Sequence, residues 1–588
     1  MTSAAPTFET LCQTVTKQFL RTAILIDDQI ITPSDSTSTP AAAEPLAEPP
    51  FLARQAPGPV AEAAASAENK NAIGDGGNPA PGADTVEPEA HERAADVIVE
   101  EVAADPMPPE ASVALKPLAD AFLDEKIICA VLNPVAEDED DRIIERAVNA
   151  ASFADIVIID WFLRNGDAEL TLNSLVQLLR ADAATNGRKR LIIVYTSAAP
   201  LEDRCAELRQ RVIDQGLACV EIEADFPALR SGSSRIIFVE KSSLGRGSSV
   251  EELPSIALRQ FAKEAEGLMS IFALGAIARI RDATHHMLSV FKADLDPALV
   301  GHRMVLAEPG DARDFALEVL MLQLRGILTA DTSLDAVIDK DAVGAWFDHK
   351  FNDALDAALA EKDITRSEFR TAVETGNPKE AFGKEKVKQF HQALFLPEPP
   401  DAVASELQAA SELARLSTHA REAEGVTPLP DGWLPSLTLG SVLRVDPNDG
   451  PARYYLCTQP LCDTLRLDGP TFFSFVSLAA GAGGSSRDYW LVVRSGGQNV
   501  KLKASLTGGG RHFARFVPDT VRKKIIATGD AADLRKFTFT DDGGTVYRWL
   551  ADVDSLKAQR AAEEMASTLG RVGVDELEWL RMGGKISV

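Results

Sequence analysis

Polar side chains that could take part in catalysis or binding follow directly after several short apolar runs of this sequence. They are Asp27, Asp28, Asp160, Thr196 and Lys241. Each preceding run has the length and apolar content of a buried β-strand. Because the carboxyl ends of parallel strands meet at one edge of a sheet, we expect three carboxylates, a hydroxyl and an ammonium group to converge on one crevice.

This combination of groups suits the handling of a phosphoryl group. Clustered carboxylates repel one another unless a cation lies between them. Mg²⁺ prefers a few carboxylate oxygens together with water and phosphate oxygens, so Asp27, Asp28 and Asp160 are the candidate metal ligands. A hydroxyl and an ammonium group can hold phosphoryl oxygens. The pattern predicts capture of a phosphoryl group by a carboxylate nucleophile.

Alternating strand and helix patterns must position these residues. Apolar runs recur at about 23–26, 127–132, 155–160, 190–196 and 235–241. Amphipathic helix patterns separate most of them, and continuous apolar strands are typical of a parallel sheet covered by helices on both faces. The predicted fold of this part of the chain is therefore α/β, a doubly wound parallel sheet of five strands.

The strand ends resemble those of the receiver domains of bacterial response regulators. Residues 25–29 (LIDDQ) are similar to the acidic pair after the first strand, and residues 156–160 (IVIID) are similar to the phosphoacceptor strand. Residues 193–198 (IVYTSA) resemble the strand that ends in a signalling Thr or Ser. Residues 238–241 (FVEK) resemble the last strand of the family.

The resemblance implies a role for each of these residues. Asp27 and Asp28 would hold Mg²⁺ together with Asp160, and Asp160 would be the catalytic carboxylate that accepts the phosphoryl group. Thr196 would bind the phosphoryl group and Lys241 would pair with it.

An aromatic residue before the last strand end completes the resemblance. Phe238 lies three residues before Lys241, where the family has a rotameric switch that reports phosphorylation. The resemblance covers about 20–30 and 110–245, so the predicted receiver-like domain consists of residues 1–31 and 110–248.

A long insertion divides that domain. Residues 32–109 are rich in Ala, Pro, Gly, Ser and Glu and contain very few aromatic residues. Such a composition buries too little apolar surface to offset the entropy of ordering, so we interpret 32–109 as a disordered tether. A long insertion is tolerable because the entropic cost of loop closure grows only logarithmically with length.

The stretch between Thr196 and Lys241 is longer than in most receivers, and it holds an extra strand candidate at 218–222. These departures resemble divergent receiver-like domains of large bacterial proteins that are predicted to act in phage defence or other conflict systems. The resemblance implies a protein partner, a histidine-kinase-like ATPase.

The rest of the chain changes character twice. Residues 249–425 show helical spacing of apolar residues, with one long helix or a broken pair over 256–291, and they predict a helical bundle. Residues 426–588 show short strand patterns between Gly-containing loops. We expect a small antiparallel barrel or sandwich there, followed by a C-terminal helix over 551–569.

Composition narrows the classes of partner. The formal net charge is −28 and basic runs are short, so the sequence lacks the basic footprint of a nucleic-acid-binding protein and we do not expect nucleic acid as a partner. The sequence shows neither a signal-peptide pattern nor a long apolar run, and its six cysteines lack zinc spacing. We expect a cytoplasmic protein with no membrane span and reduced thiols, whose oligomeric state the sequence leaves open.

Other chemical candidates are weaker. His285 and His286 lie within a helix pattern without the flanking motif of a phosphorelay histidine. The segment 455–463, which contains Cys457 and Cys462, could shape a pocket or hold a nucleophilic Cys, but a catalytic thiol needs a base and no His lies nearby in sequence. We interpret this segment as a strand that runs into a tight turn.

Three functional hypotheses follow from these patterns. The first is a signalling adaptor whose receiver accepts a phosphoryl group on Asp160 or docks an ATPase partner, with no turnover of its own. The second is a protein-binding scaffold whose receiver fold has lost phosphoryl chemistry. The third is an enzyme with a C-terminal active site that the receiver regulates.

Overall fold

The computed structural model describes residues 6–31, 113–395 and 402–569, apart from short gaps. The gaps are 136–137, 164–165, 186, 225, 243–245, 307, 352–355, 357–358, 361–362, 377, 426–428, 430–431, 482–489, 505–509 and 530–536. The predicted disordered insertion, 32–109, lies outside the described residues. The chain divides into two units, residues 1–28 with 116–588 and residues 29–115, and of the second unit the structure describes 29–31 and 113–115.

The N-terminal region alternates helices and strands. In chain order these are α1 (Phe8–Phe19), β1 (Thr22–Ile26), β2 (Ile30–Ile31), β3 (Val113–Ala114), α2 (Leu115–Asp124), β4 (Ile128–Leu132), α3 (Asp140–Ala151), β5 (Ile156–Ile159), α4 (Glu169–Ala184), β6 (Arg190–Thr196), α5 (Leu201–Asp214), β7 (Val220–Glu221), β8 (Ala228–Ser231) and β9 (Ser234–Glu240). The smaller unit contributes β2 and β3, which pair in parallel with Ile30 opposite Val113.

A parallel sheet forms the centre of this region. The strand order is β4-β1-β5-β6-β9-β8-β7, and the first five strands are parallel. The order reverses at β1, so the crevice beyond the carboxyl ends of β1 and β5 is where such sheets bind ligands. The broad prediction of a parallel sheet with helices is confirmed.

Two antiparallel strands extend the predicted five-stranded sheet to seven. The predicted strand at 218–222 is the short β7, which pairs antiparallel with β8. β8 pairs antiparallel with β9, and its sequence ALRS has no continuous apolar run that could have revealed it. The extra residues between Thr196 and Lys241 therefore form a hairpin at the sheet edge and leave β9 beside β6.

Helices cover both faces of the sheet. Side chains of α3, α4 and α5 pack with Ile24, Ile26 and Ile159 in one core. On the other face, α1 buries Cys12 and Val15, and Phe19 stacks on Phe261 of the following helical region with ring centroids 5.7 Å apart. Burial on both faces explains why β1, β5, β6 and β9 are apolar at most positions, whereas the edge strand β4 is partly exposed.

The middle region is helical. Its helices are α6 (Leu253–Glu264), α7 (Leu268–Asp282), α8 (Thr284–Val290), α9 (Asp296–Val305), α10 (Ala312–Thr329), α11 (Lys340–Lys350), α12 (Arg366–Thr375), α13 (Pro378–Ala393) and α14 (Ala402–Leu416). The predicted helix over 256–291 is three helices, and Gly267 adopts an extended backbone at the first break. Phe347, Phe351 and Phe369 form an aromatic core with Phe390.

An antiparallel, barrel-like sheet follows. Its strands are β10 (His419–Glu422), β11 (Ser441–Val445), β12 (Arg453–Cys457), β13 (Thr471–Ala480), β14 (Leu491–Ser495), β15 (Gln498–Ala504), β16 (Arg511–Phe516), β17 (Thr538–Thr540) and β18 (Val546–Val553), and helix α15 (Ser555–Leu569) comes last. The curved sheet has a separate apolar core on each face. The expected antiparallel β region is confirmed in this broad form.

Several boundaries in the C-terminal half differ from the sequence-based expectation. Residues 419–422, predicted as the end of a helix, form β10 because they pair with β18. β16 and β17 lack long apolar runs and were not predicted. The strand β18 continues to Val553, so the last helix begins at Ser555. No helix in the described part of the chain is long and apolar enough to cross a membrane.

Candidate metal centre

Strand register places two acidic residues side by side. Ile26 at the end of β1 lies opposite both Leu132 of β4 and Ile159 of β5. The backbone ladder continues one residue further, because the Asp27 N–H donates to Leu132 O at 3.3 Å and the Asp160 N–H donates to Ile26 O at 3.0 Å. The positions of Asp27 and Asp160 are therefore set by the sheet, not by a free loop.

Three carboxylates meet at this edge. One oxygen each from Asp27, Asp28 and Asp160 lies within 4.8 Å of the others, and this is the only group of potential metal ligands found among the described residues. Asp27 is fully buried and Asp160 is 5% exposed, while Asp28 is half-buried. The sequence predicted all three members of this cluster.

One ammonium group lies among the carboxylates. Lys241 Nζ is 2.8 Å from Asp27 Oδ2 and 3.1 Å from Asp160 Oδ2. The Lys241 backbone N–H donates to Thr196 O at 2.9 Å, so the lysine directly follows the β6–β9 pairing. Although burial opposes a charged lysine, the two carboxylates hold its pKa above the usual value.

The cluster keeps an excess of negative charge. Burial and the neighbouring charges of Asp27 and Asp160 raise the pKa of Asp28 to about 6. Burial likewise raises the pKa of Asp160, with Lys241 acting against the shift. The Asp28 Oδ1 atom is buried and has no hydrogen-bond partner in the described structure. A buried oxygen without a donor fits a ligand atom for a cation.

These residues fit Mg²⁺ by the chemistry of their donor atoms. Three carboxylates face one ammonium group, and Asp28 offers an oxygen with no donor of its own. Hard divalent cations prefer such oxygen ligands and retain several waters. Asp27, Asp28 and Asp160 are the residues that would hold the ion.

The Asp160 carboxylate is held by two contacts besides the sheet. Its Oδ1 accepts the Trp161 backbone N–H at 2.7 Å, while Oδ2 accepts from Lys241. Thr171 Oγ1, from the start of α4, donates to the Asp160 carbonyl at 2.8 Å. Thr171 was missed by sequence reasoning because it lies within an ordinary amphipathic helix pattern, and the chain offers no local signal for it.

The hydroxyl and the aromatic residue lie at the neighbouring strand ends. Thr196 is fully buried, and its Oγ1 accepts the Ala198 N–H at 3.1 Å in this conformation. Phe238 is 1% exposed, and its ring centroid lies 6.1 Å from that of Trp161. Phe238 therefore contacts the residue that directly follows Asp160, which suits a reporter of changes there.

Other sequence candidates lie elsewhere. His285 and His286 are exposed on α8 with their rings 4.0 Å apart, and neither forms a hydrogen bond or ion pair with an acid among the described residues. Cys457 is buried in the β region, and burial raises its pKa to about 12, which opposes a role as nucleophile. Cys462 is exposed at the rim of the same region.

Comparison with known proteins identifies the family of the N-terminal domain. Residues 19–246 match the family model of the response receiver domain, and the match includes the parallel sheet and all six predicted site residues. No curated protein and no solved structure matches the chain significantly. The strand order, the acidic edge and this family match agree, and residues 19–246 are a divergent receiver-like domain of the response receiver family.

Proposed function

We propose that this protein is a signalling adaptor whose receiver domain accepts a phosphoryl group on Asp160 with the help of Mg²⁺. The observation that carries the proposal is the cluster of Asp27, Asp28 and Asp160 with Lys241 at the switch point of the sheet. A receiver domain supports a signalling or adaptor role in general. The excess of carboxylates in this cluster supports the specific chemistry.

The chain's own residues would perform the transfer as follows. An oxygen of the Asp160 carboxylate forms a bond to phosphorus while the bond to the donor's leaving group breaks, and that group keeps the electron pair. In the unmodified domain, Asp160 Oδ2 accepts a hydrogen bond from Lys241 Nζ. The ammonium group would therefore move from this oxygen to the phosphoryl oxygens. Bound Mg²⁺ would neutralise charge between carboxylate and phosphoryl oxygens.

A route for the signal starts at Trp161. Its side chain is fully buried beside Phe238, its backbone N–H donates to Asp160 Oδ1, and Arg204 of α5 lies with Cζ 6.0 Å from the centroid of the Trp161 ring. A change in position at Asp160 would therefore first displace Phe238 and helix α5. A packed element with two arrangements is what a switch requires.

The donor is proposed to be a histidine-kinase-like ATPase that docks on this domain. That partner and a role in a bacterial conflict system rest on the resemblance of the divergent receiver. The acidic edge of the sheet would be the surface that such a donor approaches, because Asp160 lies at that edge.

A second candidate is a scaffold that binds protein without phosphoryl chemistry. The observation in its favour is that both oxygens of Asp160 already accept hydrogen bonds, from Trp161 and from Lys241. Such an acceptor is stabilised in its unmodified form. Reaction at Oδ2 would require the Lys241 contact to be exchanged first.

Incubation of the full chain with Mg²⁺ and a small phosphodonor tests the proposal. We expect the intact mass to rise by one phosphoryl group in the wild type and in Asp124→Asn, a control for an exposed acid on α2. Asp160→Asn should not be modified. Beryllofluoride should change the fluorescence of Trp161 in the same Mg²⁺-dependent manner.

Modification of Asp160→Asn to the wild-type extent would show that another residue reacts. If the wild type gains no mass and beryllofluoride leaves its fluorescence unchanged, the scaffold function replaces the phosphoacceptor function.

A further inference from the structure

Helices α8, α9 and α10 present apolar side chains on their outer surface. No residue of α8 or α9 is buried, and Ala312 is the only buried residue of α10. Between Leu288 and Leu322, twelve large apolar side chains are between 38% and 78% exposed. We call these three helices, residues 284–329, the helical arm. A set of helices without a core of its own is typical of an interaction surface.

The exposed apolar area of the arm is large for a single subunit. Fully burying a Leu or Met side chain removes on the order of 60 to 120 Å² of apolar surface from water. This area corresponds to the free energy of burial at about 25 cal/mol/Å². Twelve side chains that are roughly half exposed thus present on the order of 600 Å², at the upper limit found on monomers. It is also most of the roughly 800 Å² that one partner contributes to a standard interface.

The arm is fixed at its base. Lys524 of the β region lies with Nζ 2.7 Å from Asp311 Oδ2, directly before α10. The His302 ring of α9 packs on Phe315 of α10 with centroids 4.5 Å apart, and α10 also packs on α7. The apolar surface is therefore held in place by the rest of the fold.

Charges on α10 indicate what covers this surface. The helix carries two Arg and two acidic residues, whereas the whole chain has a net charge of −28. Glu318 and Arg325 are exposed, and neither makes an ion pair within the described residues. They are seven residues apart, so they lie on the same helix face.

The order of these charges is self-complementary. When two copies of α10 lie antiparallel about a twofold axis between Met321 and Leu322, Glu318 of each copy is opposite Arg325 of the other. The same axis brings Met321 opposite Leu322, and these side chains are 60% and 65% exposed. An unrelated partner would need no such symmetry in the charges of α10.

We propose that the helical arm forms the interface of a homodimer, with the two α10 helices antiparallel. The elsewhere acidic chain repels its own copies, so dimerisation requires a surface that is locally neutral and apolar. The α10 helix, with two Arg, two acidic residues and exposed apolar side chains, is such a surface. This proposal does not depend on phosphorylation of Asp160.

Analytical ultracentrifugation of the full chain over a range of concentrations tests the dimer. We expect the mass of a dimer for the wild type and of a monomer for Met321→Asp. Leu556→Asp is the matched control, because Leu556 is 69% exposed on α15, outside the arm, and this variant should remain dimeric. A monomeric wild type at every concentration would overturn the proposal.

Charge reversal tests the antiparallel geometry. Glu318→Arg and Arg325→Glu should each weaken dimerisation about tenfold, because each creates two like-charge contacts across the axis. The double variant Glu318→Arg/Arg325→Glu should recover an affinity within about threefold of the wild type, since both contacts are restored with reversed sign. A double variant as weak as the single variants, with unchanged circular dichroism, would exclude the antiparallel pairing.

Discussion

The two edges of the parallel sheet handle buried charge in opposite ways. At the amino edge, cations match or outnumber the acids. Arg190 lies with Nη2 2.6 Å from Asp182 Oδ1 and also donates to the Ala151 carbonyl. Glu264 accepts from Arg230 at 2.6 Å and from Arg235 at 3.2 Å.

The carboxyl edge has the reverse balance. Three carboxylates share the single ammonium of Lys241, and one oxygen of Asp28 has no donor among the described residues. At the amino edge, arginines hold the pKa of Glu264 below its usual value despite burial, while burial raises the pKa of Asp182 against the effect of Arg190. At the carboxyl edge, burial and like charges raise the pKa of Asp28.

The difference separates a structural network from a candidate functional site. A balanced buried network stabilises one arrangement and offers no position for a further ion. An acidic site with too few cations is less stable by itself, and a bound cation relieves this cost. The comparison predicts that Mg²⁺ affects only one of the two edges.

Removal of Arg190, a cation at the amino edge, should have the largest effect on the stability of the receiver domain. Arg190→Met leaves the Asp182 carboxylate buried without its closest cation, which should destabilise the receiver by about 3 to 5 kcal/mol. Hydrogen exchange of β5 and β6 measures this loss, and added Mg²⁺ should not restore it. Arg142→Met, an exposed change on α3, is the control and should have little effect. Recovery of Arg190→Met with Mg²⁺ would contradict the distinction between the edges.

Removal of Lys241, the cation at the carboxyl edge, should also destabilise the receiver domain, but Mg²⁺ should restore part of the lost stability. Lys241→Met keeps much of the side-chain volume and leaves Asp27 and Asp160 without their ammonium, so we expect a loss of about 2 to 4 kcal/mol without Mg²⁺. Because the three carboxylates then attract a cation more strongly, Mg²⁺ should restore about half of the loss. A variant whose hydrogen exchange is the same with and without Mg²⁺ would argue against a metal centre.

The smallest effect concerns the pH dependence set by Asp28. Its folded pKa of about 6 is above the ordinary value of an aspartate, so its contribution to stability is full below about pH 4. That contribution is lost as the pH rises through about 6. Without Mg²⁺, Asp28→Asn should therefore stabilise the receiver by about 1 to 2 kcal/mol at pH 7.5 and by little at pH 4.5.

Urea unfolding of wild type and Asp28→Asn at both pH values measures this difference. Mg²⁺ should stabilise the wild type at pH 7.5 and have less effect at pH 5, where protons compete for Asp28. An equal Mg²⁺ effect on Asp28→Asn would show that this residue is not a ligand.

Much of the receiver could be predicted because its strands are continuous apolar runs. Such runs are buried on both faces, so their ends mark the functional edge and identify Asp27, Asp28 and Asp160. The hairpin of β7 and β8 was only half predicted, since β8 has just two apolar residues, Ala228 and Leu229, before Arg230 and Ser231. Short edge strands depend on pairing, which has no local pattern.

Residues whose role depends on contacts with distant segments could not be predicted from the sequence. Thr171 holds the Asp160 carbonyl from eleven positions away, and its own neighbourhood is an ordinary helix. The exposure of α10 was equally invisible, because its apolar residues read as the core of a bundle. Which apolar faces meet depends on how helices pack, and no single helix encodes that.

The sequence alone determined the order of the parallel strands' polar ends and the presence of three acids at one edge, since both follow from apolar runs and parallel topology. Only the tertiary structure decided that Lys241 reaches both Asp27 and Asp160, that an oxygen of Asp28 stays without a donor, and that the helical arm is uncovered. Electrostatic partners and buried surfaces depend on distances between segments far apart in the chain, and these distances exist only in the folded protein.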